Sequence, residues 1–149
     1  MYAFDETAVI EADADAVWTT VSNVSDWPAW DPHVLEAGFD GPFEVGSRGW
    51  TISRIVPKRR GPFRLVAVEP GRSYTSRSPM PFGKMLIVNR YQPQSDGRIA
   101  VSRRVEVYGA FAGIFRRRWA DGFRADTRST FQALEKEAQR RSAVTDAER

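Results

Sequence analysis

From Gly113 onward, apolar and small side chains return every third or fourth position: Phe115, Trp119, Phe123, Thr127, Thr130, Leu134 and Ala138 form one broad stripe. Arg116, Arg117, Arg124, Arg128 and Glu135 fall largely off it. That period predicts a long amphipathic helix from about Ala112 to Arg140, followed by a polar, frayed tail over about 141–149. The stripe needs a cover, and the pattern upstream shows what can provide one.

Between Val34 and Tyr108, short β-like runs alternate with Gly and Pro: "HVLEAGF", "SRGWTISRIV", "FRLVAVE", "SYTSRS", "KMLIVNRYQ" and "RIAVSRRVEVY". They predict about six strands joined by tight connections, as in an antiparallel meander. "SDG" is a hairpin turn. "PMPFG" at 79–83 connects two strands, with Phe82 either gating a cavity or merely packed in the turn. Tyr2 to Glu11 reads as a further strand. Asp13 is a natural N-cap for a short helix over about 13–23, in which Val17, Trp18, Val21 and Val24 recur. Ser25 or Asp26 can cap a second short helix that tolerates Pro28 in its first turn and ends at Asp31-Pro32. The order is strand, two short helices, about six strands, one long helix. That predicts an α+β fold, a curved antiparallel sheet of about seven strands around the last helix, in one domain over 1–149.

Composition removes several functions. There is no Cys, hence no disulfide or thiol nucleophile, and a single His, so no transition-metal site is expected. No cofactor motif is present. No apolar run approaches the roughly 18 residues of a membrane span. The acidic N-terminus lacks the layout of a secretory signal, so the chain reads as cytoplasmic. The pI of 9.6 comes with a net charge of only +3. The clusters "KRR" at 58–60 and "RRRW" at 116–119 read as a solvated loop and helix face rather than a nucleic-acid surface, since interleaved stacking aromatics are missing.

"ADADAVWTTVSNVSDWPAWDP" resembles the opening of the START-like (SRPBCC, Bet v 1-like) superfamily, specifically its polyketide cyclase/dehydratase-like branch. "FEVGSRG", "VAVEPGRSYTSRSPMPFG" and "RVEVYGAFAGIF" extend the resemblance over nearly the whole chain. The resemblance implies a helix-grip fold with a deep apolar cavity. It does not settle function, because members include aromatase/cyclases, lipid and hormone carriers and quinone-binding proteins.

Alternation along strands then nominates cavity residues. Met85, Ile87, Asn89 and Tyr91 are expected to point inward, as are Arg103 and Val105 with Val101 and Val107. Trp50 and Ile52 share one face with Arg48 and Arg54; Ser76 shares one with Tyr74 and Ser78. Phe115, Trp119 and Phe123 come from the helix stripe. Trp27 plugs the junction of the small helices with the sheet, and Trp30 either joins it or lines the cavity mouth. Arg103 stands on a valine face and cannot shed its charge, so it needs a carboxylate, water or a ligand oxygen. Asp126 is the candidate ion-pair partner. The alternative is an anchor for a ligand oxygen. His33 reads as a surface turn residue, with general-base service as the other reading.

Three functions follow. The first is a carrier or binder of a hydrophobic small molecule: a lipid, an isoprenoid or quinone, or an aromatic polyketide-like compound. It would be a monomer or homodimer that uses no nucleic acid and no integral membrane association. The second is a polyketide aromatase/cyclase or dehydratase working in the same cavity, mainly by holding a flexible chain in one pose. The third is an interaction module whose groove takes a partner peptide. An ordered pair of titratable groups on the cavity wall separates the first two.

Overall fold

Nine residues of alternating burial, Tyr2–Ile10, form β1. The chain then leaves the sheet. Asp13 caps α1 (Ala14–Ser22), its carboxylate accepting the Ala16 N–H at 3.2 Å. A single 3₁₀ turn, Val24–Asp26, leads into α2 (Trp27–Trp30). Neither Ser25 nor Asp26 caps α2 through its side chain. Asp26 instead accepts from Asn23 Nδ2 at 2.9 Å and from Arg141 at 3.2 Å.

Six strands follow in the computed structural model, which describes residues 1–149: β2 (Val34–Asp40), β3 (Arg48–Ser53), β4 (Gly61–Glu69), β5 (Ser73–Met80), β6 (Gly83–Pro93) and β7 (Ile99–Gly109). All neighbours are antiparallel, in the order β1-β7-β6-β5-β4-β3-β2. The register shifts between Val34 and Glu36 and between Leu65 and Ala67. Such irregularities bend a strand and increase its twist. The "SDG" turn is present: Gly97 has a φ of 83°, and Gln94 N–H donates to Arg98 O at 2.7 Å.

The C-terminal helix differs from expectation in two ways. It is divided at Trp119 into α3 (Ala112–Arg118) and α4 (Ala120–Glu148). Trp119 has a φ of −122°, far from the helical value of about −63°. Its ring lies 5.3 Å from that of Phe111, and the bend keeps Phe111, Phe115 and Trp119 all on the cavity side. The tail is also helical rather than frayed, running to Glu148. Arg140 and Arg141 both grip Glu137, at i,i+3 and i,i+4 spacing, and support the helix past the point where the apolar stripe ends.

Two groups of buried apolar side chains form the core. One joins α1 and α4 to the middle of the sheet through Val17, Val21, Leu65, Val101, Phe131 and Leu134. The other seats α3 through Phe4, Met85, Val105, Val107 and Phe115.

The "PMPFG" segment is shorter than a loop. Met80 pairs with Gly83, so Pro81 and Phe82 are the whole connection. Proline at the first central position and a positive φ at the second give a turn of type II form, where glycine is usual. Phe82 has a φ of 56° and is 89% exposed, so it neither gates the cavity nor packs in the turn. Phe82→Gly relieves that backbone strain while losing almost no burial. Thermal unfolding of the variant is expected to show a gain of about 1 kcal/mol, and an unchanged or lower midpoint refutes the strain.

Candidate functional site

Between the sheet and the last helices lies a hollow of about 580 Å³; 17 of its 33 lining residues are hydrophobic. The volume lies within the usual range of small-molecule sites. The apolar walls come from α2, the inner faces of β4 to β6, and α3 and α4: Trp27, Trp30, Phe63, Met85, Ile87, Phe115, Trp119, Phe123, Phe131 and Leu134.

Trp27 is fixed: its indole N–H donates to Val21 O at 3.1 Å, and its ring stacks on Phe63 at 6.0 Å. Trp30 also lines the hollow, but its indole N–H is buried with no acceptor. The two tryptophans thus differ in role: one is a bonded plug, the other carries a spare donor.

The first polar group sits on β5, β6 and β7. Asn89 and Arg103 are opposed in register, and Arg103 Nε donates to Asn89 Oδ1 at 2.7 Å. The expected ion pair of Arg103 with Asp126 does not form. Arg103's neighbour on β1, Glu6, is no substitute, because it accepts from Arg124 at 3.0 Å and pairs with Arg128 at 3.5 Å. Arg103 therefore reaches the hollow as a cation with an amide partner and no carboxylate partner. Tyr74, Ser76 and Tyr91 line the same region. Burial pushes the phenols of Tyr74 and Tyr91 above their ordinary range, and the Arg103 charge only partly offsets it. Both remain neutral O–H groups around pH 7.

The second polar group links α2, β3 and α4. His33 Nδ1 and Asp126 Oδ2 are 2.7 Å apart, and Arg54 donates to both oxygens of Asp126, at 3.0 and 2.6 Å. Burial alone raises the Asp126 carboxyl, but hydrogen bonds from Arg54 and His33 outweigh it and hold the group below its ordinary value. An ionised carboxylate only accepts, so Nδ1 carries the proton that His33 shares with Asp126. His33 is thus no surface turn residue. It lines the hollow, with its ring 5.3 Å from that of Phe123. Beside it, Asp31 Oδ1 accepts from His33 N–H at 3.0 Å and from Thr130 Oγ1 at 2.8 Å.

Of the residues nominated from sequence, Trp30, Ser76, Met85, Ile87, Asn89, Tyr91, Arg103, Phe115, Trp119 and Phe123 line this one hollow. Three do not. Trp50 and Ile52 lie on the opposite face of β3, whose inward set is Thr51 and Ser53. Trp50 instead lies across Gly38, where a Cβ would collide with its indole nitrogen, and under the Arg60 guanidinium at 3.9 Å. Both faces of that strand are half-buried, so alternation alone does not say which is inward. Val105 faces inward but is sealed in the core with Phe4, Met85 and Phe115. Arg54 lies just past the end of β3, which frees it to turn towards Asp126. Sequence reasoning missed His33, Asp31 and Tyr74 as wall residues. Tyr74 was within reach, two positions before Ser76 on the same strand face.

A curved antiparallel sheet gripping its last helix, with an apolar hollow between, is the helix-grip arrangement of START-like and Bet v 1-like proteins. Sequence then places the chain within that class. It belongs to the family described as "Polyketide cyclase / dehydrase and lipid transport", whose model matches residues 1–139. Among solved structures, a protein of Nitrosomonas europaea superposes with a TM-score of 0.76 at 15% identity, covering 95% of this chain and 96% of that one. A START superfamily protein from Mycobacterium smegmatis gives 0.72 at 13% identity, over 94% and 99% of the two chains. The di-domain ARO/CYC StfQ from the steffimycin biosynthetic pathway gives 0.71 at 12% identity, over 95% of this chain and 51% of StfQ. A comparison with curated protein sequences gives no match.

Proposed function

We propose that this protein binds a hydrophobic small molecule bearing one or more oxygen functions, in the hollow between sheet and helix. Lipids, isoprenoid or quinone compounds and aromatic polyketide-like compounds all fit this description. The observation that carries the reading is Arg103, a cation without a carboxylate partner on the wall of an otherwise largely apolar space of about 580 Å³. Apolar burial supplies most of the affinity, at about 25 cal/mol per Å² before ordering costs. Arg103, Asn89, Ser76, the two phenols and the Trp30 N–H set the orientation of the guest.

A second reading is favoured by the His33–Asp126 pair, namely a polyketide aromatase/cyclase or dehydratase. StfQ, with the same fold, is described as an ARO/CYC protein from a biosynthetic pathway. In this reading Asp126 orients the imidazole, Nε2 takes a proton from carbon next to a carbonyl, and Arg103 holds the developing enolate oxygen.

One experiment tests both. Native mass spectrometry of freshly purified protein is expected to show an adduct, which is extracted, identified and returned to the protein. Recovery unchanged supports binding, and recovery with loss of water or a new ring supports catalysis. An empty protein that no panel of apolar ligands stabilises against heat defeats both readings.

A further inference from the structure

The outer face of the sheet carries an arrangement that works against the fold. Arg48 on β3 is directly opposite Arg64 on β4, and Arg64 is directly opposite Arg77 on β5. Lys84 on β6 pairs with Pro79, one diagonal step from Arg77. The inward neighbours Phe63, Leu65, Ser76 and Met85 are buried, so alternation places all four cations on the outer face. Opposed side chains in an antiparallel pair stand about 4.5–5.5 Å apart at Cβ, and like charges there are destabilising. None of these four cations takes part in an ion pair. Asp40, opposite Arg48 on β2, pairs with none of them either.

The same residues line a cleft of about 440 Å³. Its position has a backbone cause. The β4–β5 ladder stops at Arg64–Arg77, and Pro62 and Pro79 beyond it have no N–H to continue the ladder. The two strands part there. The cleft opens at the fork, and Pro62, Phe63 and Pro79 are walls of both the cleft and the hollow.

We propose that this cleft is a binding site for a phosphate-type anion of more than one negative charge, a diphosphate or a phosphate ester. Guanidinium forks match phosphate oxygens two at a time, and several of them converge here. A multiply charged anion turns repulsion between the arginines into attraction towards a shared centre. A single carboxylate leaves most of the repulsion in place.

The test is thermal unfolding with inorganic pyrophosphate against sodium chloride at matched ionic strength, on the native protein and on Arg64→Gln. Pyrophosphate is expected to raise the native midpoint by several degrees, on the order of 5 °C near saturation, and well beyond the salt control. Arg64→Gln is expected to melt no lower than the native protein without anion, because repulsion is relieved, and to bind pyrophosphate at least about tenfold more weakly. Arg64→Lys, which keeps the charge and loses the fork, falls between. A further arm with decyl phosphate separates the sources. Tighter binding than pyrophosphate, still dependent on Arg64, assigns the phosphate to an amphiphile with its tail in the hollow. Weaker binding assigns the site to a free anion, and either result supports it. Equal effects of pyrophosphate and salt, or an undiminished response in Arg64→Gln, overturn the proposal.

Discussion

Replacing Arg103 with leucine is expected to weaken binding of a carboxylate-headed ligand by about 10- to 100-fold while the protein stays folded. The size follows from the loss of one charged hydrogen bond in an apolar space, worth about 1.5–3 kcal/mol. The fold survives because leucine suits the valine face of β7 and no ion pair is broken. The cost is the buried Asn89 oxygen, which loses its donor. Decanoate and decanol, titrated by displacement of a fluorescent probe, make the comparison sharp. The substitution should reduce affinity for decanoate strongly and for decanol little, since only the first has a charged head. Equal affinities in the native and variant proteins would reject Arg103 as an anchor.

The second large effect concerns Asp126. Removing its carboxylate by Asp126→Ala strands His33 and Arg54 together. A fully buried pair would lose several kcal/mol, but the Arg54 side chain is 56% exposed and can return its charge to water. The expected loss is therefore about 2 kcal/mol, seen as a fall of roughly 4–8 °C in the unfolding midpoint. A pH signature accompanies it. The folded-state carboxyl titrates below its ordinary value, so its stabilisation is fully present above the unfolded pKa of about 4. It fades as pH falls through the lower, folded-state value. Asp126→Ala should thus narrow the gap to the native protein in acid and show the full gap near neutrality. A gap that is constant from pH 7 down to about pH 3 contradicts the ionised-carboxylate account.

Asp126 also separates the two functional readings. A purely structural carboxylate affects stability alone. If the His33–Asp126 pair moves protons, Asp126→Asn at a temperature where it is fully folded also slows conversion of the extracted compound, because the imidazole loses the partner that fixes its tautomer.

Much of this molecule was legible from local pattern. A two-residue period marks a strand and a period near 3.6 marks a helix, so the seven strands, the capped α1 and the presence of a long final helix were legible from neighbouring residues, whereas its break at Trp119 and its helical tail were not. The inward set on β6 was legible for the same reason: its alternate residues Met85, Asn89 and Tyr91 are among the most buried in the chain. The hollow followed from a bent sheet facing one helix. What only the tertiary structure decided was which groups meet. His33 and Asp126 lie 93 residues apart in the chain, and Arg54 joins them across 72. No local spacing encodes such a meeting. The inward face of β3 was equally open, because alternation defines two faces and the packing of the whole sheet chooses between them. Side-chain period is a property of the backbone, whereas the partner of a buried charge depends on where distant strands and helices come to rest.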